Sequence, residues 1–157
     1  MTTPNTGLDG NARKAVAEAL NGVLADTYTL YQKTHAYHWN VTGPQFQTLH
    51  LMFEGQYREI WAALDEIAER VRALGQFAPP SGKAFSKLTV IESAESDPPA
   101  ADDMVKNLLS GHEALIRRAR EALATAEDAN DAASADLLTQ RIQIHEKTAW
   151  MLRAMTE

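Results

Sequence analysis

Apolar residues recur at every seventh position along one stretch of the chain, and this repeat constrains the fold more than any other feature. The repeat consists of Phe46, Phe53, Ile60, Ile67 and Leu74. At about 100° per residue, positions seven apart return to nearly the same side of an α-helix. The spacing therefore predicts one long amphipathic helix, from about Gln45 to Leu74, that buries one face against other helices.

Three other segments show the same kind of helical periodicity. Their apolar residues are spaced by three and four, which predicts helices from about Asn11 to Trp39, from about Ala101 to Asp128 and from about Ala133 to Met155. Residues 75–100 contain two Pro-Pro pairs and two glycines, and residues 84–93 within them are expected to form a short helix or, less readily, a strand. Four long helices with one extended crossover predict an all-α fold, a four-helix bundle of the ferritin type.

The ends of the first two predicted helices carry recognisable signals. Asp9 or Asn11 can accept a hydrogen bond at the start of the first helix. Residues 40–44, Asn-Val-Thr-Gly-Pro, end that helix, because glycine favours a turn and proline cannot continue a helix. Thr42 is then expected to cap the second helix, with Pro44 in its first turn.

Length and charge narrow the class of protein further. A chain of 157 residues is expected to form one domain, with residues 1–9 as a flexible tail. The lack of cysteine excludes disulfides and thiolate metal sites. No apolar run is long enough to span a membrane, and the N-terminus does not resemble a secretion signal, so a cytoplasmic location is expected. The net charge of −6 argues against DNA binding through a basic patch.

Four potential metal ligands lie on the helix with the seven-residue repeat, on a stripe beside its apolar face. His50 and Glu54 are four residues apart, as are Asp65 and Glu69, so each pair occupies one side of the helix. Asp65 follows Glu54 by eleven residues, which is about 16 Å along the axis at 1.5 Å per residue. One metal ion therefore cannot contact both pairs of the same helix.

Two interpretations of this stripe differ in what covers it. Paired carboxylates are common on solvated helix faces, and on that interpretation no metal is bound. Tyr57 and Trp61 on the same stripe are unusual for a solvated face. If a second copy of the helix packs antiparallel about a two-fold axis, in a register centred between Glu59 and Ile60, the first ligand pair of each copy meets the second pair of the other. Two identical sites, each shared between subunits, would result.

His38 can join this predicted site. It lies near the end of the first helix, before a short turn that can bring it close to His50. Two imidazoles and three carboxylates form a ligand set that suits iron or manganese. The alternative for His38 is a structural histidine at a helix end. His112 and His145 fall on core stripes and are expected to be satisfied core or interface histidines, and Trp39 is expected to be a packing residue.

Two stretches of the sequence resemble a known family. The run HWNVTGPQFQTLH at residues 38–50, continued by Glu54 and by Asp65 and Glu69, resembles the signature of the Dps family, the miniferritins. The stretch DLLTQRIQIHEKTAWML at residues 136–152 is similar to that family as well. The resemblance implies a ferritin-like four-helix bundle with a short extra helix in the long crossover between helices 2 and 3, assembled as a hollow dodecamer.

The resemblance also implies an iron site, with one or two ions, at each two-fold dimer interface. His38, His50 and Glu54 would come from one subunit, and Asp65 and Glu69 from the other. The family more often has Asp at the position of Glu54, and the longer side chain shifts the carboxylate. Acidic residues that line a three-fold pore for iron are often found in the family at the positions of Asp131 and Asp136.

The implied activity is the oxidation of Fe(II), typically by hydrogen peroxide, followed by storage of ferric mineral inside the shell, which protects DNA from oxidative damage. Consumption of two Fe(II) per peroxide avoids the release of hydroxyl radical. One alternative is a nucleoid protein that compacts DNA and has only secondary iron chemistry. Because the tail has no lysine cluster and each chain carries −6, DNA binding is expected to be weak. A second alternative is a plain helical bundle whose acidic stripe is only surface.

Overall fold

The structure is a computed structural model that describes residues 2–157. These residues form five α-helices and the segments that connect them. These helices are α1 (Gly10–Asn40), α2 (Phe46–Ala73), α3 (Gly82–Leu88), α4 (Ala101–Asp128) and α5 (Ala132–Ala154). Four of them are long and form a bundle, and α3 lies in the crossover between α2 and α4. No β-strand occurs in the described residues. The predicted all-α four-helix bundle with a short extra helix is therefore confirmed.

The bounds of the four long helices agree with the predicted bounds to within one residue, and only the crossover differs. Residues 84–93 were candidates for the short helix, whereas α3 ends at Leu88 and the main chain is extended at Thr89. Asp26, which is buried in α1, explains this end. Its Oδ1 atom accepts hydrogen bonds from Thr89 Oγ1 at 2.7 Å and from the Val90 main-chain N–H at 2.9 Å. These bonds draw the chain away from a helical path.

The two predicted helix caps have opposite outcomes. Asp9 caps α1, where its side chain accepts a hydrogen bond from the Ala12 N–H at 2.8 Å. The prediction of Thr42 as the cap of α2 is wrong, because α2 begins three residues later than such a cap requires and Gln45 precedes it without a side-chain hydrogen bond. The Phe46 N–H bonds instead to the Gly43 carbonyl at 3.0 Å. A main-chain turn therefore precedes α2 where a side-chain cap was expected.

The seven-residue repeat of α2 forms the spine of the core. Phe53, Ile60, Ile67 and Leu74 are at most 2% exposed, whereas Phe46 in the first turn is 45% exposed. The buried apolar side chains of all four long helices form one cluster. Burial of each large apolar side chain stabilises the fold by about 1.5–3 kcal/mol. The repeat therefore accounts for the orientation of α2 in the bundle.

The four long helices do not pack equally on one another. Helix α1 packs against α2 and α4, and α4 packs against α5, whereas α2 and α5 make only a sparse contact. A cleft lies between α2 and α5 as a result. No helix within residues 2–157 has the length and apolar character needed to cross a bilayer.

Two of the residues before α1, Pro4 and Leu8, contact the bundle in this structure. Leu8 is partly buried and packs on the core. The carbonyl oxygen of Leu8 accepts a hydrogen bond from Arg13 Nη1 at 2.5 Å. The ring of Pro4 lies close to Gly75, at the end of α2. The flexibility predicted for residues 1–9 stays a prediction.

Candidate metal centre

Two histidines from different helices bind each other's main chain. His38 is near the end of α1, and His50 is in the second turn of α2. Nδ1 of His38 lies 2.7 Å from the His50 carbonyl oxygen, and Nδ1 of His50 lies 2.7 Å from the His38 carbonyl oxygen. Because a carbonyl oxygen only accepts, each Nδ1 carries a hydrogen and donates it. In the neutral rings, Nε2 of both histidines therefore keeps a lone pair.

This arrangement is the one that a pair of metal ligands requires. Metal-binding histidines almost always donate their other ring N–H to a carbonyl or carboxylate, which orients the ring and selects the tautomer. The rings of His38 and His50 are stacked, with centroids 3.8 Å apart and 15° between their planes. His38 is 8% exposed and His50 is half-buried. Both Nε2 atoms can thus serve one metal site.

Glu54 follows His50 by one turn of α2 and supplies an anionic carboxylate. Its Oε1 atom accepts two hydrogen bonds from Arg58, from Nε at 3.0 Å and from Nη2 at 2.7 Å. The hydrogen bond from Arg58 holds the pKa of Glu54 below its ordinary value, and the nearby His38 and His50 act in the same direction. The Glu54 side chain is therefore ionised at neutral pH, and its other oxygen is not part of the Arg58 contact.

The other two predicted ligands lie elsewhere on the same helix. Asp65 and Glu69 are exposed and lie about three and four turns beyond Glu54. Within residues 2–157 of a single chain, no three His, Asp or Glu side chains approach closely enough to hold a metal ion. One chain thus brings His38 and His50 together, with Glu54 one turn away, and leaves Asp65 and Glu69 apart from them.

Aromatic rings surround the histidine pair, and the pattern of the sequence does not indicate most of them. His35 stacks on Tyr57 with ring centroids 3.9 Å apart and lies 4.1 Å from the Trp39 ring centroid. Tyr31 Oη lies 3.0 Å from His35 Nδ1. His35 precedes His38 by three residues, and this one-turn spacing was the available signal. Trp39, which was predicted to be a packing residue, packs on His35 with one part of its ring and is 64% exposed in the single chain.

The two remaining histidines are in the core, as predicted. His112 and His145 are at most 1% exposed, and their Nδ1 atoms lie 2.9 Å apart. Arg141 and Glu59 extend this contact toward the surface. Nothing in the apolar periodicity marks Arg141 or Glu59 as partners of the histidines, because the contact joins three helices.

Asp131 and Asp136 have different environments. Asp131 is buried and caps α5, where its Oδ1 accepts hydrogen bonds from the Ser134 N–H at 3.1 Å and from Arg70 Nη2 at 2.9 Å. Burial would raise the pKa of Asp131, but the hydrogen bonds from Ser134 and Arg70 outweigh it and hold the pKa below its ordinary value. Asp136 is exposed. Of these two residues, only Asp136 has a carboxylate at the surface that could line a pore.

Comparisons with known proteins identify relatives along the whole chain. Residues 17–157 match the family model described as a ferritin-like domain. An uncharacterized low temperature-induced protein of Nostoc sp. is 42% identical over 158 residues, a match that covers 100% of this chain and 88% of that protein. DNA protection during starvation protein 2 of Bacillus anthracis is 37% identical over 141 residues, which cover 90% of this chain and 96% of that protein.

Solved structures have the same helix arrangement. The Dps protein of Vibrio cholerae O1, described as a member of a broad superfamily of ferritin-like diiron-carboxylate proteins, has a TM-score of 0.94 and 31% identity, with 100% of this chain and 98% of that chain covered. A Dps protein of Bacillus brevis has a TM-score of 0.90 and 35% identity, with 94% and 98% covered. Iron is the metal that this superfamily implies. Because the similarity extends over both sequence and fold, the chain belongs to the Dps family of ferritin-like proteins.

Proposed function

We propose that this protein is a ferroxidase that oxidises Fe(II) with hydrogen peroxide and stores ferric iron inside a hollow oligomer, a dodecamer, in the cytoplasm. The reciprocally bonded pair of His38 and His50 is the observation that carries this proposal. Two stacked imidazoles with oriented Nε2 atoms and an ionised Glu54 on the next turn supply three of the five ligands in the proposed iron site. Membership of the Dps family supports the general part of this function, which is iron storage and protection.

Asp65 and Glu69 of a second chain complete the site in this proposal. They are exposed and lie about three and four turns from Glu54, so a two-fold axis between Glu59 and Ile60 brings Asp65 opposite Glu54 and Glu69 opposite His50 of the partner. Three carboxylates and two imidazoles form a donor set that suits Fe(II). Fe(II) is the substrate here, and one subunit contributes three of the five ligands that bind it and the other subunit contributes two.

The surface around Asp65 supports burial by a second chain. Trp61, one turn before Asp65, is 59% exposed. A cleft of about 730 Å³, lined by apolar side chains that include Tyr28 and Phe85, borders both residues. A tryptophan and an apolar cleft beside a carboxylate are typical of a surface that another protein covers. The proposal therefore assigns this cleft to the dimer interface.

The reaction balances for a pair of iron ions. Two Fe(II) ions each lose one electron, the O–O bond of one hydrogen peroxide breaks, and two protons complete two water molecules, leaving two Fe(III). A one-electron reduction of peroxide would instead release hydroxyl radical. The carboxylates of Glu54, Asp65 and Glu69 would offset the positive charge of the iron ions, and the two imidazoles would help to fix their position. Removal of Fe(II) and peroxide together would protect nearby DNA.

Direct DNA compaction is the alternative function. The names of some relatives refer to DNA protection but not to compaction. Proteins named for DNA protection during starvation are among them. The net charge of −6 per chain opposes binding to the phosphate backbone. We expect no tight mobility shift of duplex DNA near neutral pH at physiological salt. A tight, salt-sensitive shift would reverse the order of the two functions.

Mixed assemblies test the shared site directly. His50→Ala chains and Asp65→Ala chains should each lose peroxide-driven Fe(II) oxidation, followed in the near-ultraviolet. When the two chains are assembled together, every mixed dimer keeps one intact site and one doubly altered site, so random mixing should restore about a quarter of the wild-type sites. Absence of rescue would show that the ligands come from one chain. Glu66→Ala, which removes the exposed carboxylate next to Asp65, is the matched control and should keep the wild-type rate.

A further inference from the structure

A positively charged side chain holds one oxygen of a candidate metal ligand. Arg58 donates two hydrogen bonds to Glu54 Oε1, from Nε at 3.0 Å and from Nη2 at 2.7 Å. Its guanidinium carbon also lies 5.7 Å from the ring centroid of Tyr57, the ring that meets His38 edge-on. Arg58 is the only lysine or arginine in residues 34–69. The candidate metal centre of each chain therefore contains a cation before any metal binds.

The charge of Arg58 matters more here than the stability of its ion pair. Hydrogen-bonded pairs of this spacing are common on helices and usually contribute little to stability. The hydrogen bond from Arg58 lowers the pKa of Glu54 most, and His38 and His50 act in the same direction. The Glu54 carboxylate is therefore close enough to interact with all three side chains. An ion bound to this carboxylate lies within a few ångströms of the guanidinium.

Arg58 and a metal ion compete for Glu54. A guanidinium only donates hydrogen bonds, and both of these bonds go to one carboxylate oxygen, Oε1. A metal ion on Oε1 would displace them. A metal ion on Oε2 would leave them in place, with two positive groups then bound to one carboxylate. In either case Arg58 opposes the ion, and by Coulomb's law the opposition grows in proportion to the charge of the ion.

The charges of the complete site show which oxidation state this arrangement disfavours. Glu54, together with Asp65 and Glu69 of the partner subunit, supplies three negative charges, and histidines are neutral when they bind a metal. The one positive charge of Arg58 leaves a net charge of −2. A single Fe(II) neutralises this charge, whereas a single Fe(III) exceeds it. Without Arg58, the site would neutralise Fe(III) instead.

We propose that Arg58 is a built-in counter-cation of the iron site, which limits how tightly the site holds a metal ion and favours the departure of Fe(III) over that of Fe(II). Such a residue suits a site through which iron passes before it is stored elsewhere in the same shell. The inference rests on the proposed function, because it takes Glu54 as an iron ligand. Its tests measure metal binding without an oxidant, so they do not depend on ferroxidase activity.

Titration of the iron-free protein with Co(II) at low salt, followed by the visible absorption of the bound ion, measures the effect on a divalent ion. Arg58→Gln removes the charge and keeps a hydrogen-bond donor. It should raise the affinity for Co(II) by about tenfold, which corresponds to the repulsion between a double and a single charge about 6 Å apart in water. Arg58→Lys keeps the charge and should bind Co(II) as the wild type does. Arg117→Gln, the same change at an exposed position of α4, is the matched control and should also leave the affinity unchanged.

A second titration, with Tb(III), tests the dependence on ionic charge. Its emission is sensitised by tyrosine and tryptophan, and Tyr57 and Trp61 lie on the same side of α2 as Glu54. Because Coulomb repulsion scales with charge, a gain of about tenfold for Co(II) in Arg58→Gln predicts a gain of about thirtyfold for Tb(III). A residue that only positions Glu54 would not produce this difference. Unchanged or weaker binding of either ion in Arg58→Gln, or equal gains for both, overturns the proposal.

His50→Ala separates a failure of this inference from a failure of the site itself. It removes a proposed ligand and should abolish the absorption of bound Co(II). If His50→Ala binds Co(II) as the wild type does, the proposed iron site is wrong, and the role of Arg58 is overturned with it. If His50→Ala loses Co(II) while Arg58→Gln binds both ions as the wild type does, only the role of Arg58 is overturned.

Discussion

His38 and His50 each donate a hydrogen bond from Nδ1 to the carbonyl oxygen of the other, at 2.7 Å in both directions. The two bonds join the end of α1 to the start of α2 across the turn at residues 41–45. Neither ring can rotate without losing a bond, and the stacked rings limit each other further. The pair is therefore oriented before any metal binds, which reduces the cost of assembling the site.

The first prediction concerns the tautomers of these rings. In the metal-free protein, the neutral rings of His38 and His50 should both carry the hydrogen on Nδ1. Solid-state ¹⁵N NMR of the histidine-labelled assembly distinguishes the two tautomers by the shifts of the ring nitrogens. His112 serves as the internal control. Arg141 only donates, so His145 accepts at Nε2 and donates from Nδ1 to His112 Nδ1, which requires the hydrogen of His112 on Nε2. A hydrogen on Nε2 of His38 or His50 would contradict the assignment of these atoms as metal ligands.

The second prediction concerns the cap of α5. Asp131→Ala removes a buried carboxylate that caps the helix and pairs with Arg70, so it should lower the free energy of unfolding by about 2–3 kcal/mol in urea denaturation at pH 7. The folded-state pKa of Asp131 lies below its ordinary value. The stabilisation that ionised Asp131 gives the fold is therefore fully present above its pKa in the unfolded chain, about 3.9. This stabilisation is lost as the pH falls through the lower pKa of the folded state.

Asp136→Ala is the control for that experiment. Asp136 is exposed one turn into α5 and bonds only to the neighbouring Gln140 in the described contacts, so its loss should change the free energy of unfolding by less than about 0.5 kcal/mol. A similar cost for the two variants would show that Asp131 does not act through its buried contacts.

The third prediction compares the same substitution at two helical glycines. A Cβ atom at Gly22 would lie 2.4–2.7 Å from the guanidinium of Arg118, which pairs with the buried Asp26. Gly22→Ala should displace Arg118 and destabilise the fold by about 1–2 kcal/mol, in spite of the better helix propensity of alanine. Gly55→Ala meets no atom within 4 Å in the single chain and should stabilise the fold by about 0.5–1 kcal/mol. Thermal unfolding of the two variants under one condition should therefore show shifts of opposite sign.

The fourth prediction concerns acid stability. Burial lowers the pKa of His112 to about 3 and that of His145 well below its ordinary value. The unfolded chain takes up protons at these residues as pH falls through about 6.5, while the folded chain does not. The free energy of unfolding should therefore fall between about pH 6.5 and pH 4, by up to about 1.4 kcal/mol per pH unit for each histidine. The double variant His112→Leu with His145→Leu should show a shallower slope in urea titrations, and an unchanged slope would contradict the prediction.

Much of this protein follows from local rules that its sequence displays. Helix geometry relates each residue to those three, four and seven positions away, so the repeat from Phe46 to Leu74 is enough to predict α2 and its buried face. The same geometry places Glu54 one turn after His50. Thr42 shows the limit of this reasoning, because a main-chain hydrogen bond from Phe46 to Gly43 took the place of the side-chain cap.

By itself, the sequence determined the helices, their buried faces and the spacing of the candidate ligands, because these depend on hydrogen bonds and side-chain positions within a few residues. Only the tertiary structure decided which nitrogen atoms of His38 and His50 remain for a metal, since each ring is bonded to the main chain of the other helix. It also decided that Arg141 and His145 leave His112 with an unpaired donor. Such contacts join residues that are distant in sequence, and no periodic pattern encodes them.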